Sequence, residues 1–272
     1  ALISFLLLFC IIVQLKVHNI ALIVVFCTII VCFFLWRYVR PITEVNKEFQ
    51  SQKFKVKKNF VIEMFFSGLS MGMMNAIYCI GSVILQSSIN ALGSVYIAAQ
   101  VGGRRLAELF YIPGLALGTS TAIYASQNYG AGLGKRIRRG CRTAILLYGI
   151  WWIIALMFTF TLAPAAIRLL TGSSNPEVIS NGLLYLRVSI PMIPPMAVLV
   201  ILRNALQGMQ HLKAPLICST LELIGKVIFA IWLVPVWGYI AVCICEPVTW
   251  VICCAFIVGA AVVFRKEFQT AE

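Results

Sequence analysis

Residues 113–140 read PGLALGTSTAIYASQNYGAGLGKRIRRG, and this stretch indicates on which side of a membrane each part of the chain lies. An apolar helix containing Pro113 is followed by a short glycine turn, where the backbone reverses at little steric cost. A basic run at 135–142 comes next, and short loops rich in Lys and Arg stay on the cytoplasmic side of a membrane. The stretch therefore predicts a cytoplasmic turn between two spans. This predicted turn comprises Gln127, Asn128, Gly130 and Gly132.

The composition is that of a membrane protein. Of the 272 residues, 61% are hydrophobic and only 11% are charged, whereas a soluble domain carries about a quarter charged residues. Several apolar runs reach the roughly 20 residues that a helix needs to cross a bilayer. Backbone groups in lipid need partners within their own segment or in a closed barrel, and the alternation of barrel strands is absent. The predicted fold is therefore all-α, a polytopic transmembrane helical bundle of about eight spans.

The net charge of +13 does not indicate nucleic acid binding. The basic residues cluster in short loops between apolar runs, which is a pattern of membrane topology. The predicted partner is the lipid bilayer. The ten cysteines lie mostly inside apolar runs without metal-type spacing to histidine, so no metal site and no disulfide is predicted. The sequence shows no P-loop, catalytic triad or acid pair, and we do not expect an enzyme.

The chain divides at a basic segment. Residues 1–36 hold two predicted spans, 37–58 form a basic cytoplasmic linker that is partly an amphipathic surface helix, 59–265 hold six spans, and 266–272 form a cytoplasmic tail. Because six spans make a complete bundle and two do not, we interpret 1–36 as the last two helices of a truncated preceding bundle. The six spans are predicted over 60–86, 95–127, 143–162, 183–206, 215–234 and 239–264, with an outer loop at 164–181.

Several motifs resemble the second half of multidrug and toxic compound extrusion (MATE) transporters, in register from about residue 58 to residue 265. They are Gly68–Gly72 (GLSMG), Gln86–Gly93 (QSSINALG), Gln127–Gly132 (QNYGAG), Arg203–Gly208 (RNALQG) and Leu221–Ile224 (LELI). Two positions depart from the family pattern. Ser70 stands where the family usually has Pro, and Asn75 stands at the depth where some members place a coupling carboxylate.

The resemblance implies a protein of two six-helix bundles, of which this chain holds the second and a part of the first. The missing N-terminal bundle would be in the same chain or in a second copy. The resemblance also implies a multi-pass protein of the bacterial plasma membrane. It would export small organic, often cationic, compounds in exchange for Na⁺ or H⁺, with no other cofactor. The concentration of Lys and Arg in the inner loops predicts that both ends of the chain are cytoplasmic.

Two alternatives stay open. A lipid-linked oligosaccharide flippase of related fold would need a basic cavity, for which the candidates are Arg104, Arg105, Arg187, Arg203 and Lys226. An inactive half-transporter fragment is the other. A membrane enzyme acting on lipids would need a nucleophile or metal constellation, which the sequence lacks.

One face of the span at 60–86 is the predicted substrate cavity. Its residues recur every three or four positions: Met71, Asn75, Tyr78, Ser82 and Gln86. Polar groups that face lipid cost free energy, so this face lines either a cavity or a helix contact. Both interpretations remain open.

Six ionisable residues inside spans are the coupling or gating candidates: Arg104, Arg105, Glu108, Glu222, Lys226 and Glu246. Arg104 and Glu108, like Glu222 and Lys226, are one helical turn apart and could instead be ion pairs that fix packing. Glu246 has no local partner. It would carry a proton, or pair with Arg187 or Arg203 from another helix.

Three prolines interrupt the span at 183–206: Pro191, Pro194 and Pro195. Each removes a helical hydrogen bond and bends the helix. The bend is either a hinge for alternating access or a static kink.

Overall fold

In a computed structural model of the protein, the described residues are 58–269 together with 26, 29–34, 36 and 37. They belong to two units that divide after Ile62. In the first unit, residues 29–34 are helical. The spans predicted within 1–36 and the linker at 37–58 lie almost entirely outside the described residues, and the predicted tail is described only as far as residue 269.

The described part of the chain is helical and contains no strand. The α-helices, in order, are α1 Lys58–Leu92, α2 Ser94–Gly130, α3 Gly134–Thr161, α4 Ala163–Thr171, α5 Pro176–Ser189, α6 Ile193–Gly208, α7 Lys213–Ile228, α8 Val234–Trp237 and α9 Tyr239–Val263. A 3₁₀ turn at Ile190–Met192 joins α5 to α6, a π-helical turn at Phe229–Leu233 joins α7 to α8, and a 3₁₀ turn at Glu267–Gln269 follows α9.

Six segments of the described chain are long and apolar enough to cross a membrane. They are Met64–Leu92, Ser94–Gly130, Gly134–Thr161, Pro176–Gly208, Lys213–Trp237 and Tyr239–Val263. The predicted all-α, polytopic fold is confirmed, and these six segments correspond to the six spans predicted between residues 60 and 264.

The turn between α2 and α3 forms where the sequence predicts it. Helix α2 ends at Gly130, and Gly132 takes a φ of +73°, which side chains disfavour and glycine accepts. The N–H of Leu133 donates to the Asn128 carbonyl at 2.8 Å, and the Asn128 side-chain amide donates to the Tyr124 carbonyl at 2.8 Å. The first of these bonds satisfies a carbonyl that the helix end leaves without a partner.

The start of the next helix differs from the prediction. The basic run at 135–142 is not a loop before the span but lies in the first turns of α3, which begins at Gly134. Gly140 within this run packs on Tyr124, because a Cβ there would lie 2.7 Å from the ring. Charges exclude a segment from lipid, but they do not stop a helix from continuing into the headgroup region.

The predicted outer loop at 164–181 is also largely helical. Helix α4 occupies 163–171 and α5 begins at Pro176, so only 172–175 form a turn. There the Asn175 side chain accepts the Glu177 N–H at 2.9 Å, and Pro176 holds the first helical position. Helix ends follow these caps, whereas hydropathy marks only the part of the helix that lies in lipid.

Helix α2 packs against α3, α5 and α6, while α6 also packs against α9. Pro113 lies inside α2 and removes one helical N–H donor. Close by, the Phe110 carbonyl accepts the Tyr148 hydroxyl at 3.3 Å and the Trp151 indole N–H at 3.1 Å. Both donors lie on α3, so the part of α2 next to Pro113 is held by its neighbour.

Candidate functional site

Helices α1, α2, α5, α6, α7 and α9 of the second unit surround a cavity of about 700 Å³. This volume is in the range of small-molecule sites. Apolar and aromatic side chains form much of its wall, among them Met74, Tyr111, Met196, Leu199 and Trp250. Charged side chains reach it from four helices: Arg104, Glu108, Arg203, Glu222 and Glu246.

The polar face predicted on α1 divides between two environments. Met71, Asn75 and Tyr78 line the cavity. Ser82 and Gln86, one and two turns further on, lie outside its lining in the described chain. Ser82 Oγ donates to the Tyr78 carbonyl at 3.0 Å, and Gln86 Nε2 donates to Asn90 Oδ1 at 3.0 Å. Both bonds stay within α1, so these two side chains are satisfied locally.

Arg104, Arg105 and Glu108 form one cluster on α2. Arg104 Nε lies 3.3 Å from Glu108 Oε1, and Arg105 Nη1 lies 3.4 Å from Glu108 Oε2. Arg104 and Glu108 line the cavity. The Arg105 side chain is 73% exposed, so it belongs to the outer surface of the unit rather than to the cavity wall.

Glu222 joins two cations. Lys226 Nζ lies 2.9 Å from Glu222 Oε1, and Arg203 Nη1 lies 4.0 Å from Glu222 Oε2. Lys226 is 1% exposed and also lies 4.1 Å from the centre of the Tyr78 ring. Opposite charge and the ring face together offset the cost of burying the ammonium group. Glu222 therefore lines the cavity, with Lys226 packed behind it.

Glu246 accepts a hydrogen bond from a residue that the sequence reasoning did not single out. The Tyr185 hydroxyl on α5 donates to Glu246 Oε2 at 2.8 Å. Tyr185 is 1% exposed, and its ring packs so tightly on α2 that a Cβ at Gly103 would lie 3.2 Å from it. The available signal was a tyrosine within a span, because a buried phenol needs a hydrogen-bond partner.

The three prolines lie in and directly after the 3₁₀ turn between α5 and α6. Pro191 lies in the 3₁₀ turn, while Pro194 and Pro195 lie in the first turn of α6. Pro194 has no N–H to offer the carbonyl four residues earlier, that of Ile190. This carbonyl accepts the Ile193 N–H of the 3₁₀ turn, and Trp152 Nε1 on α3 also donates to it at 3.1 Å.

Metal-type clusters are absent from the part of the chain that the structure describes: no three His, Cys, Asp or Glu side chains could together hold a metal ion. The eight cysteines described are free thiols. Cys253 Sγ on α9 donates to the Cys218 carbonyl on α7 at 3.6 Å, so this thiol helps to join two helices.

Comparison with known proteins places these features in a family. No curated protein matches the chain. A family model described as MatE matches residues 70–232, which is more than half of the chain.

Solved structures share the fold at low sequence identity. A MOP superfamily transporter from Pyrococcus furiosus, described as having a binding pocket of reverse polarity, is 20% identical with a TM-score of 0.52; the match covers 73% of this chain and 44% of that one. A mutant MATE protein is 16% identical with a TM-score of 0.55, at 74% and 45% coverage. An outward-facing multidrug resistance MATE family transporter is 19% identical with a TM-score of 0.51, at 74% and 44% coverage.

The chain spans less than half the length of these solved structures. The likeness in fold agrees with the family match over residues 70–232. The six apolar helices make the protein a multi-pass membrane protein. The chain belongs to the MATE family of transporters.

Proposed function

We propose that the protein is a secondary active antiporter. It exports small organic compounds across a bacterial plasma membrane in exchange for Na⁺ or H⁺, with both chain ends cytoplasmic. The observation that carries the proposal is a cavity within the spans whose wall combines apolar, aromatic and ionisable side chains. Such a wall accommodates varied organic compounds and can also bind a coupling ion. The substrate lies in this cavity, next to a first bundle supplied by the same chain or by a second copy.

Glu246 is the coupling carboxylate in this proposal. Glu222 is held between Lys226 at 2.9 Å and Arg203 at 4.0 Å, so its charge is already compensated. The partner of Glu246 is the neutral Tyr185 hydroxyl. A hydroxyl donates to a carboxylate and accepts from a carboxylic acid, so this contact tolerates both states of Glu246 that an exchange cycle requires.

The test is efflux of a fluorescent organic cation from proteoliposomes under an imposed Na⁺ or pH gradient. We expect Glu246→Gln to reduce gradient-driven efflux at least tenfold while folded protein is recovered normally. The matched control is Glu177→Gln, because Glu177 is an exposed carboxylate near the start of α5. Undiminished efflux in Glu246→Gln would remove this residue from the coupling role, and the absence of efflux in the unmutated protein would favour an inactive half-transporter.

Lipid-linked oligosaccharide flipping is the second candidate. The observation that favours it is that Arg104 and Arg203 lie in the cavity wall, where they could bind a pyrophosphate group. Each of these arginines is, however, partly neutralised by a carboxylate: Glu108 lies 3.3 Å from Arg104, and Glu222 lies 4.0 Å from Arg203. Vesicles containing a pyrophosphate-linked lipid distinguish the two functions. A flippase would move this lipid between leaflets without exporting the organic cation.

A further inference from the structure

We propose that the exposed face of α3 binds an anionic phospholipid of the leaflet on the side of the α2–α3 turn. The headgroup phosphate lies against three basic side chains and an acyl chain lies along three apolar ones. Together these residues form the lipid stripe: Lys135, Arg138, Arg142, Leu146, Ile150 and Ile153. Lipid binding is independent of the proposed antiport and is measurable without transport.

The first observation is that the lipid stripe occupies one face of α3. Its residues follow one another at intervals of three or four positions, which places them on the same side of a helix. All six are exposed, with Leu146 at 69%, Ile150 at 60% and Ile153 at 54%. The residues that α3 buries against the bundle lie on the opposite face: Ile137, Cys141, Ala144, Tyr148 and Ala155.

The second observation is that the stripe changes from basic to apolar after Arg142. From Arg142 to Ile153 the helix rises about 16 Å, at about 1.5 Å per residue. This is close to half of the roughly 30 Å hydrocarbon core of a bilayer. The apolar part of the stripe therefore has the length of one leaflet, and its basic part lies at the level of the headgroups.

The third observation is that α3 has no acidic residue to balance its charge. Residues 134–161 contain no Asp or Glu. The basic residues of this helix all lie within its first turns and are all exposed: Lys135, Arg136, Arg138, Arg139 and Arg142. This end of α3 therefore carries a concentrated positive charge that faces the headgroup region.

Neighbouring segments strengthen this charge. Lys213, Arg265 and Lys266 are also exposed, and the 3₁₀ turn that follows α9 packs against α3. Glu267 is the carboxylate of this turn, and His211 Nε2 lies 2.7 Å from its Oε2. Because Glu267 is already engaged by His211, it does not compete with a lipid phosphate for the arginines of α3.

The chemistry of the stripe selects an anionic phospholipid. A guanidinium group donates paired hydrogen bonds to a phosphate, and basic residues at a membrane surface attract anionic lipids. Zwitterionic phosphatidylcholine carries an ammonium group that these side chains repel. A soluble anion has no chain to cover Leu146, Ile150 and Ile153, whereas an acyl chain of the same lipid covers them.

The experiment measures lipids bound to the purified protein by native mass spectrometry, in detergent that contains equimolar dioleoyl-phosphatidylglycerol and dioleoyl-phosphatidylcholine. We expect phosphatidylglycerol to be enriched about tenfold or more among the bound lipids. Arg142→Gln should lower this enrichment about fivefold, the effect of one basic residue at an anionic surface. Lys135→Gln/Arg138→Gln/Arg142→Gln should abolish the enrichment.

The matched control is Lys213→Gln/Arg265→Gln/Lys266→Gln, which removes the same charge outside the lipid stripe. At an ionic strength of about 0.15 M, where charges are screened beyond about 8 Å, this control should keep most of the enrichment. All the substituted side chains are exposed, so both triple variants should unfold at the same temperature as the unmutated protein in lipid-free detergent.

Three results would overturn the proposal. The first is equal binding of the two lipids by the unmutated protein, or an enrichment that survives the triple variant of the stripe. The second is an equal loss in both triple variants, which would show that a diffuse field rather than the stripe attracts the lipid. The third is displacement of the lipid by excess glycerol phosphate, which would indicate a site for soluble anions.

Discussion

Lys226 Nζ lies 2.9 Å from Glu222 Oε1 and 4.1 Å from the centre of the Tyr78 ring. Lys226 is only 1% exposed. Its ammonium group contacts both a residue of its own helix α7 and the cavity face of α1. Gly81 makes this approach possible, because a Cβ there would lie 2.9 Å from the Lys226 side chain. The cation–π contact between Lys226 and Tyr78 therefore helps to hold α1 against α7.

Lys226→Met should be strongly destabilising, because it leaves Glu222 with only the longer contact to Arg203. Removing one partner of a buried ion pair costs about 3–5 kcal/mol. The double variant Lys226→Met/Glu222→Gln should recover much of this loss, since no uncompensated charge remains. Unfolding in detergent measures both variants, and a double variant no more stable than the single one would contradict the explanation.

Gly208→Ala should destabilise the protein by about 1–3 kcal/mol, the usual cost of overpacking. A Cβ at Gly208 would collide with the Ala122 backbone carbonyl of α2, and backbone cannot move aside as a side chain can. The matched control is Gly149→Ala in α3, where nothing lies within 4 Å of the new Cβ. This control should be neutral or stabilising, since Ala favours helices over Gly by about 1 kcal/mol. Equal unfolding temperatures for the two variants would disprove the close approach of α6 to α2.

Trp152→Phe should cost about 0.5–1.5 kcal/mol, the usual net contribution of one hydrogen bond, because the Ile190 carbonyl loses its indole donor and keeps only the Ile193 N–H. Pro194→Ala restores a backbone N–H that can bond to this carbonyl, so the double variant should lose less than the sum of the two single changes. A double-mutant cycle on unfolding free energy measures this coupling. The same Pro194→Ala variant tests the hinge: a hinge requires efflux to slow without loss of stability, whereas a static kink leaves the efflux rate unchanged.

His211→Ala should loosen the turn that follows α9. His211 Nε2 lies 2.7 Å from Glu267 Oε2, and the imidazole stacks on Phe264 with centroids 3.9 Å apart. Both side chains of the pair are partly exposed, so we expect a loss of about 1 kcal/mol or less, seen as several-fold faster hydrogen exchange over residues 264–269. Arg265→Ala, at an exposed position in the same turn, is the control and should leave this exchange rate unchanged.

Neutralising Lys135, Arg136, Arg138 and Arg139 tests the predicted cytoplasmic turn. If these charges orient the chain, their removal should let a cysteine placed at Ala131 become labelled from both sides of the membrane rather than from the cytoplasmic side alone. The measurement is labelling by a membrane-impermeant maleimide in intact cells and in inverted vesicles. Unchanged one-sided labelling would show that other segments orient the turn.

The amino-acid sequence by itself determined the number of spans in the described region and the position of their apolar parts, but it did not predict helix α4. Apolar runs of sufficient length form helices in lipid because no other backbone structure satisfies its own polar groups there, except a closed barrel. The turn at Gly132 follows from a local preference, since glycine accepts positive φ. The ends of α3 and α5 were predicted less well, because charges and caps extend a helix beyond its apolar run.

The sequence also predicted part of the candidate site. The helical period brought Met71, Asn75 and Tyr78 to one face of α1, and these three residues line the cavity. The i, i+4 spacing predicted that Lys226 could pair with Glu222. Both relations lie within single helices, where 3.6 residues per turn sets the neighbours without any knowledge of the fold.

Only the tertiary structure decided which helices contact one another and which of their side chains form hydrogen bonds. The Tyr185 hydroxyl reaches Glu246 from 61 residues away, and the Trp152 indole reaches the Ile190 carbonyl across 38 residues. Side-chain periodicity says which face of a helix is polar, but it does not say which other helix will meet that face. That choice depends on close approaches at positions such as Gly103 and Gly208, because packing in the assembled bundle sets which backbones lie within reach of one another.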